Sequence, residues 1–435
     1  MRAISKKILS NVLKTESKLV LWKYKPKIIA ITGSIGKTST KDAVYAVLSK
    51  ISYVRKSEKS YNSEIGLPLT VLGCPNAWNN PFHWLKNILK GLWLFIYPHK
   101  YPQWLILEVG VGKMGDMKRT ALWLKTDVVI MTAIGETPAH IEFFNSRKHL
   151  IEEKSALIKT LKMDGLLVLN ADDETVAEMK SKTKSHTITF GIKEEADLVG
   201  SSLNISYEND IPRGIVFRVD EEGRSLPVVI DGVFGKNHVY ASMAALAVAS
   251  GLNLNTVDAV SALKNYDVPP GRMRLLAGLN NSLIIDDTYN SSPFACESAL
   301  VTLKEIKGNR KIAVLGDMLE LGKHTIEAHK NIGKIAKENA DVLIVVGPRA
   351  KDIKNGALEN KMSKENLPDG KAGIFEFANS TQAGEFLKTF VKRGDLILIK
   401  GSQGMRMERA VEAILLDKEN KEKLLVRQEE EWKKR

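Results

Sequence analysis

The stretch KIIAITGSIGKTST, residues 27–40, decides the fold of this chain. Its first part, IIAI at 28–31, is a short apolar run with β-branched residues, which predicts a buried parallel strand. A glycine-rich turn, GSIG at 33–36, separates this strand from a segment whose apolar spacing is that of a helix. A strand, such a turn and a helix N-terminus together present backbone N–H groups and partial positive charge, which suits a phosphate group.

The residues around this turn predict a nucleotide site that uses Mg²⁺. Lys37 would reach the β- and γ-phosphates, and the Thr38 hydroxyl would hold the metal. The spacing is compressed, because Ile31 stands where the general phosphate-loop motif has its first glycine. A simple helix cap is the alternative, but it leaves the Lys-Thr pair unexplained. The predicted nucleotide contacts in this stretch are Gly33, Ser34, Gly36, Lys37, Thr38 and Ser39.

A second apolar strand, Leu105 to Val109, carries Glu108 near its end. Parallel strands of one sheet bring their carboxyl ends to the same edge, where ligands bind. A carboxylate at that edge, beside the phosphate turn, is well placed to bind Mg²⁺. Glu108 is therefore a predicted metal ligand.

Composition narrows the possible partners. The 435 residues carry a formal net charge of +13, which favours anionic partners such as nucleotides, phosphorylated substrates or anionic lipid. No nucleic-acid-binding module is recognisable, so we predict no nucleic-acid partner.

The two cysteines, Cys74 and Cys296, lie far apart, which fits a reducing cytosol and no disulfide framework. No apolar stretch approaches the roughly 18 residues that span a bilayer, and we expect a cytoplasmic protein.

Alternating strand and helix patterns predict an α/β protein. We expect a central P-loop-type, doubly wound, mostly parallel sheet with a small antiparallel section at about 187–230, and then a C-terminal Rossmann-like α/β domain. PPGR at 269–272 predicts a hinge between them. The predicted divisions are an N-terminal amphipathic helix in 1–26, a central ATP-binding domain in 27–270, a C-terminal domain in 271–416 and a charged tail in 417–435. The tail is interpreted as a solvated helix or a frayed end.

The segment NNPFHWLKNILKGLWLFIYPHKYPQ, residues 79–103, is rich in aromatic residues and carries lysines. Its apolar residues recur at helical spacing. A basic amphipathic helix with tryptophans can lie in a membrane interface, and contact of 80–100 with the inner face of the membrane is one hypothesis. A helix packed on the sheet is the other, and the sequence leaves both open.

Three motifs together resemble the Mur ligase superfamily over about residues 27–415. TGSIGKTST at 32–40 resembles the superfamily as a whole, whereas DDTYNSSP at 286–293 and LGDMLELG at 315–322 resemble its D-alanyl-D-alanine-adding branch. The resemblance implies an ATP-dependent ligase that joins a carboxylate to an amine through an acyl phosphate. Its expected substrates are a peptidoglycan-precursor peptide with a free carboxylate and a D-Ala-D-Ala-like amine.

The resemblance also implies two Mg²⁺ ions and their ligands. By position, Thr38 and Glu108 resemble the ligands of the first ion, and His140 resembles the histidine that binds the second. Lys154 stands where the superfamily has a lysine that CO₂ converts to a carbamate, an anionic metal ligand. Lys37, His140 and Lys154 are accordingly the expected catalytic residues.

Further nucleotide contacts are implied in the second half of the chain. Arg272 resembles an arginine that contacts the ATP phosphates, and Asp287 resembles an aspartate that faces the nucleotide. The family's His-Asn pair near the adenine is reversed here as Asn237-His238, so either residue could make that contact.

One departure puts the acceptor in doubt. Only 32 residues precede Gly33, whereas members of this branch carry a UDP-sugar-binding domain there. A different acceptor, lipid-linked or folylpolyglutamate-like, is therefore an alternative. A non-catalytic nucleotide-binding scaffold is the alternative from another class of protein.

Overall fold

The computed structural model describes residues 3–58, 61–135, 143–193, 195–359 and 373–433. The predicted metal ligand His140 lies outside these residues, and its role stays a prediction. The described residues form two β-sheets flanked by helices, which confirms the predicted α/β class.

The larger sheet contains the strand predicted from the phosphate-loop stretch. Its described strands are β1 (Lys27–Thr32), β2 (Val54–Lys56), β3 (Trp104–Glu108), β4 (Thr126–Met131), β5 (Leu161–Asn170), β6 (His186–Gly191), β7 (Leu198–Glu208), β8 (Ile211–Glu221) and β9 (Arg224–Asp231). They lie in the order β2-β3-β1-β4-β5-β6-β7-β8-β9. Pairing is parallel from β2 to β7 and antiparallel from β7 to β9.

The antiparallel section is shorter than the sequence predicts. β6 lies inside the predicted antiparallel range, yet it pairs in parallel with β5 and with β7. Its alternating burial shows that one of its faces is less covered than the other. That alternation reports coverage and not strand direction, so the prediction was wrong for this strand.

The smaller sheet follows the predicted hinge. Its described strands are β10 (Arg274–Ala277), β11 (Leu283–Asp287), β12 (Arg310–Gly316), β13 (Val342–Val346), β14 (Gly373–Phe377) and β15 (Asp395–Lys400), in the order β10-β11-β15-β12-β13-β14. β10 pairs antiparallel with β11, and the other pairs are parallel. The edge strands β10 and β14 are only partly buried, and they lack the apolar runs that identified the other four strands.

Helices cover both sheets. The α-helices in the described ranges are α1 (Ala3–Tyr24), α2 (Lys37–Leu48), α3 (Gly66–Leu72), α4 (Pro81–Ile96), α5 (Asp116–Ala121), α6 (Arg147–Ser155), α7 (Glu174–Ala177), α8 (Lys236–Gly251), α9 (Thr256–Leu263), α10 (Pro293–Glu305), α11 (Thr325–Asn339), α12 (Lys351–Leu358), α13 (Ser380–Phe390), α14 (Glu408–Ile414), α15 (Lys421–Leu424) and α16 (Glu430–Lys433). Among them, none is both long enough and apolar enough to cross a membrane.

Strand β1 occupies the position that organises the site. Ile29 and Ile31 pack into the hydrophobic cluster on one face of the sheet, and Ile28 and Ala30 pack into the cluster on the other. β1 lies between β3 and β4, so the chain leaves it at the point where the strand order reverses. In parallel α/β sheets this switch point is where ligands bind.

Helices α1 and α4 pack against each other. Trp84, Asn87, Gly91 and Leu94 form the buried face of α4, and α1 lies against it. One face of α4 is therefore packed, but mainly against α1 and not against the sheet, as the second hypothesis had it. The opposite face leaves large apolar side chains exposed, among them Phe82, Leu85, Leu89, Leu92, Trp93 and Ile96.

A buried carboxyl group lies in this helix pair. Glu16 on α1 is 4% exposed, and a Cβ atom added at Gly91 of α4 would lie 2.3 Å from Glu16 Oε2. Neither carboxyl oxygen has a hydrogen-bond partner in the described part of the chain. Burial raises the pKa of Glu16 to about 7, so the folded protein keeps a proton that the unfolded chain releases at lower pH.

We expect the variant Glu16→Gln to be more heat-stable than the parent at pH 8. Below about pH 4.5 the Glu16 carboxyl group is protonated in both the folded and the unfolded state, and its burial does not depend on pH. As the pH rises from about 4.5 to 7, the unfolded chain releases this proton while the folded protein holds it, so the free energy of unfolding falls. The amide removes that charge, and the midpoint of thermal unfolding should rise by about 2–4 °C at pH 8. At pH 5 the gain should be smaller. Glu338→Gln, at an exposed position of α11, is the control.

The charged tail is partly buried. Leu425 is 2% exposed, and Arg427 pairs with Glu408 of α14 at 3.0 Å. Arg427 Nη1 also donates to the Thr288 carbonyl oxygen at 3.1 Å, on the loop after β11. The interpretation of 417–435 as a solvated segment was therefore wrong for these residues, because charge composition does not reveal a specific partner.

Candidate active site

The turn after β1 has the backbone that a phosphate cradle requires. Gly33 has a φ of 147°, and a Cβ atom there would lie 1.9 Å from Thr132 Oγ1 of the neighbouring strand segment. Gly36 has a φ of 82° and stands at the N-cap of α2 without a side-chain capping bond. Glycine is needed at both positions because side chains are disfavoured there. The first N–H groups of α2 are thus left free for a ligand.

Two lysines converge on one carbonyl oxygen in this turn. Lys37 Nζ lies 3.0 Å from the Gly33 carbonyl oxygen, and Lys154 Nζ, from α6, lies 2.8 Å from the same atom. Burial lowers the pKa of Lys37, and burial together with the Lys37 charge lowers the pKa of Lys154 well below its usual value. Lys154 is therefore a weaker base than an exposed lysine.

The predicted metal ligands lie side by side. The β1–β3 register pairs Ile31 with Glu108, which places the Glu108 carboxylate next to the turn. Thr38 Oγ1 donates to Glu108 Oε2 at 2.9 Å, and Asn62 Nδ2 donates to Glu108 Oε1 at 3.1 Å. Hydroxyl, carboxylate and amide oxygens are the donors that Mg²⁺ prefers, so these residues fit that ion.

Asn62 was missed as a site residue. It belongs to YNSEIGLP at 61–68, after β2, a segment that by its resemblance to the family is expected beside the phosphates, with a surface loop as the alternative, but the resemblance did not single out Asn62. The resemblance also implies a second Mg²⁺ ion, whose expected ligands include His140. No group of three or more His, Cys, Asp or Glu side chains within metal-binding reach occurs in the described residues, and His140 lies outside them.

Arg272 joins the site from the segment that leads into the smaller sheet. Its Nη2 lies 3.4 Å from Thr38 Oγ1, and its guanidinium carbon lies 3.9 Å from the centre of the Tyr289 ring. Arg272 Nε and the hydroxyl of Ser34 are buried and have no hydrogen-bond partner in the described structure. Buried polar atoms are usually paired, so unpaired donors next to a phosphate cradle indicate an anionic ligand. Tyr289, which positions Arg272, was not among the predicted site residues.

These residues line a cavity of about 1040 Å³. We call its more buried side the inner end, which is lined by Lys37, Thr38, Glu108, Lys154 and Arg272. We call its more exposed side, which is lined by α1 and by the segment around α5, the outer end. A volume of this size is at the upper end of small-molecule sites, and it can accommodate a substrate beyond the phosphates.

A second cavity, of about 970 Å³, is also lined by Ile35 of the turn. Asn237 and Tyr240 of α8 line it together with Phe294 of α10. A polar amide and aromatic walls suit a purine base.

The same region corrects the prediction for His238. That residue is 1% exposed, with Nδ1 3.1 Å from the Tyr266 hydroxyl and Nε2 2.8 Å from the Arg272 carbonyl oxygen. Burial lowers its pKa to about 4. A neutral, fully engaged His238 positions the Arg272 segment, and Asn237 is the member of the pair that faces a cavity.

Two more predicted contacts have other partners. Asp287 is buried and accepts a hydrogen bond from Lys400 Nζ at 2.6 Å, so its carboxylate holds the loop and does not line either cavity. The Ser39 side chain is buried and hydrogen-bonds to Tyr266. Motif position did not reveal these orientations, because each is set by a residue distant in sequence.

Comparisons with known proteins agree with this geometry. A family model described as the Mur ligase middle domain matches residues 31–249, a little more than half of the chain. The chain belongs to the Mur ligase family. A second model, described as the Mur ligase glutamate ligase domain, matches residues 271–403.

Other Mur ligases resemble this chain over most of its length. The UDP-N-acetylmuramoyl-tripeptide–D-alanyl-D-alanine ligase of Bacillus subtilis is 28% identical over 409 residues, which are 93% of this chain and 79% of that protein. The crystal structure of the MurF ligase from Thermotoga maritima in complex with ADP matches with a TM-score of 0.75 and 26% identity, over 93% of this chain and 83% of that one. Folylpolyglutamate synthase of Mycobacterium tuberculosis matches with a TM-score of 0.61 over 92% and 94% of the chains, and at 14% identity it shares the fold alone.

Proposed function

We propose that this Mur ligase is an ATP-dependent enzyme that joins a carboxylate to an amine, with a D-Ala-D-Ala-like amine and a peptidoglycan-precursor peptide as substrates. One observation carries the proposal. The inner end of a cavity that is large enough for a second substrate brings together three cationic side chains and a predicted metal-binding pair: Lys37, Lys154 and Arg272, with Thr38 and Glu108. The relatives' names support the choice of substrates.

The proposed reaction has two transfers. A carboxylate oxygen of the first substrate attacks the γ-phosphorus of ATP, ADP leaves, and an acyl phosphate forms. The amine of the second substrate then attacks the acyl carbon, loses a proton and expels phosphate, which leaves an amide. Lys37 and Arg272 would stabilise charge on the transferring phosphoryl oxygens. Mg²⁺ held by Thr38 and Glu108 would neutralise phosphate charge.

Lys154 fits the carbamate role that the family resemblance implies. A neutral amine is the form that attacks CO₂, giving a carbamate and releasing a proton. The pKa of Lys154 lies well below its usual value, because the side chain is buried beside Lys37. A carbamate at Lys154 would add an anionic oxygen ligand near the cradle, where a second Mg²⁺ with His140 is proposed.

The nucleotide is proposed to span both cavities. Its triphosphate would lie in the turn at 33–38, and its base would lie near Asn237 in the second cavity. Arg272 is the last residue of the predicted hinge and already lies 3.4 Å from Thr38 Oγ1, so closing of the 27–270 and 271–416 domains around it would exclude water from the site. That domain division remains a proposal, supported by the change of sheet between β9 and β10.

Phosphate release from ATP tests the reaction class. With Mg²⁺ present, release should require a carboxylate substrate and an amine together, because the amine consumes the acyl phosphate. UDP-N-acetylmuramoyl-tripeptide with D-Ala-D-Ala is the first pair to test, and a glutamylated acceptor with glutamate is the alternative pair. Nucleotide binding without turnover under every combination would favour the non-catalytic scaffold.

We also propose that the exposed face of α4 contacts an anionic membrane surface. Phe82, Leu85, Leu89 and Trp93 are each more than half exposed on this face. No Asp or Glu occurs between Glu64 and Glu108, whereas Lys86, Lys90 and Lys100 lie in or next to α4. An apolar stripe with only basic charge complements anionic lipid headgroups.

Vesicle sedimentation tests this contact. We expect binding to vesicles that contain phosphatidylglycerol and weaker binding to pure phosphatidylcholine. Leu89→Glu with Trp93→Glu should lower the partition at least about tenfold, because each side chain loses the free energy of burial. Leu122→Glu with Met163→Glu, at positions 79% and 97% exposed and outside α4, is the matched control. Equal binding to both vesicle types, or an unaffected double variant, would contradict the contact.

A further inference from the structure

The outer end of the first cavity is lined by basic residues that the proposed reaction does not use. Lys6, Lys7, Ser10, Asn11 and Lys14 line it from α1. Their spacing places them on one face of that helix, while Leu9 and Leu13 are buried on another. Lys113 lines the same end from the loop before α5.

The positive charge at this end is not neutralised. Glu64 and Asp116 also line the cavity, but both form ion pairs with Arg119. In the described ranges, none of Lys6, Lys7, Lys14 and Lys113 has an ion pair within 4 Å; Lys14 Nζ lies 3.4 Å from the Arg119 carbonyl oxygen. Four lysines with no acidic partner therefore face the cavity.

The position of these lysines inside a cavity indicates the kind of ligand that they could bind. They line a concave cavity whose inner end is the phosphate cradle, and an outward-facing patch would instead suit a flat anionic surface. A ligand that reaches both ends would present its reacting carboxylate near Lys154 and an anionic group near α1. Compact, multiply charged groups such as a diphosphate gain most from several lysines held together.

We propose that Lys6, Lys7 and Lys14, with Lys113, form a subsite for a diphosphate group on the carboxylate substrate. This inference rests on the proposed function, and it assigns the acceptor to the diphosphate-linked sugar peptides. The diphosphate can be joined to a nucleoside or to a polyprenyl lipid, and both linkages present the same charges to the lysines. A subsite on α1 also places the substrate next to α4, the proposed membrane-contact helix.

Binding to the nucleotide-loaded full chain tests the subsite. The protein is first saturated with Mg²⁺ and a non-hydrolysable ATP analogue, so that the phosphate cradle is filled. The probes are UDP-N-acetylmuramoyl-tripeptide, the same sugar peptide on a polyprenyl diphosphate in detergent micelles, and the sugar peptide without phosphate. We expect at least one diphosphate probe to bind about tenfold more tightly than the phosphate-free probe, which corresponds to about 1.4 kcal/mol.

The triple variant Lys6→Gln, Lys7→Gln, Lys14→Gln should abolish this preference. The matched control is Lys18→Gln, Lys50→Gln, Lys125→Gln, which removes the same charge from exposed positions outside the cavity and should keep the preference. Affinity for ADP, measured separately, reports that the triple variant is folded. Preference for the UDP probe assigns the nucleoside linkage, and preference for the micellar probe assigns the lipid linkage.

Two results would overturn the subsite. The parent chain could show no preference for a diphosphate, or the triple variant could keep the preference in full. Either result leaves the ligase reaction intact, because that reaction is judged by phosphate release with paired substrates. Loss of phosphate release under all pairings, with the diphosphate preference preserved, would instead remove the reaction and keep the binding site.

Discussion

The variant Lys37→Ala is expected to lose at least about 10²–10³-fold in turnover, the range found when one preorganised hydrogen-bond donor at a transition state is removed. Lys37 Nζ now lies 3.0 Å from the Gly33 carbonyl oxygen, within the turn that would hold the phosphates. Its charge would act on oxygens that become more negative as the phosphoryl group transfers. The measurement is steady-state phosphate release with both substrates at saturation.

A control separates loss of chemistry from loss of fold. Lys50→Ala, at an exposed position just after α2, should keep the parent's rate. Lys37→Ala should still unfold in a cooperative thermal transition, which would show that the loss of turnover is not a loss of fold. A Lys37→Ala enzyme that turns over at the parent's rate would exclude the turn as the catalytic phosphate site.

The variant Lys154→Ala is the second large effect we expect. If Lys154 carries a carbamate, its removal deletes an anionic metal ligand and should lower turnover by about 10²-fold or more. Short carboxylic acids such as acetate or formate should restore part of the rate, because a free carboxylate can occupy the vacated space and supply the missing oxygens. Rates are measured against increasing acetate at constant ionic strength.

Rescue distinguishes a carbamate from a simple lysine. Lys37→Ala, where a cation was lost, should gain nothing from acetate. Lys159→Ala, at an exposed position just after α6, should need no rescue. A fully active Lys154→Ala enzyme would rule out the carbamate role. An inactive one that does not respond to any short acid would leave Lys154 as a donor to the Gly33 carbonyl oxygen.

Local sequence patterns identified most of the sheet and the inner end of the site. The apolar run before Gly33 predicted β1, and the Lys-Thr pair after Gly36 marked the start of α2. Glu108 could be placed beside the turn because it ends a buried run in an alternating strand-and-helix pattern, and the β1–β3 register confirms that placement. Strands at the sheet edges, such as β10 and β14, could not be predicted in this way, because partly buried strands do not need a continuous apolar run.

Long-range contacts account for the errors at the site. His238 and Ser39 both turn towards Tyr266, and Asp287 turns towards Lys400, at separations that no local motif encodes. Tail residue Arg427 finds its partner in Glu408, within a segment whose charge predicted solvent exposure. In each case a polar group is buried because a specific partner compensates its loss of water, and only the folded chain shows which partner that is.

Residue order alone was enough to establish the phosphate turn, the strands that flank it and the family to which the chain belongs. These features depend on short-range backbone geometry, on glycine conformations and on apolar periodicity, all of which are determined by residues close together in the sequence. The tertiary structure decided which side chains face the cavities, which are engaged elsewhere, and that α1 brings its lysines to the outer end of the first cavity. Those outcomes depend on packing between segments far apart in the chain, where burial and charge pairing act only after the sheets and helices have come together.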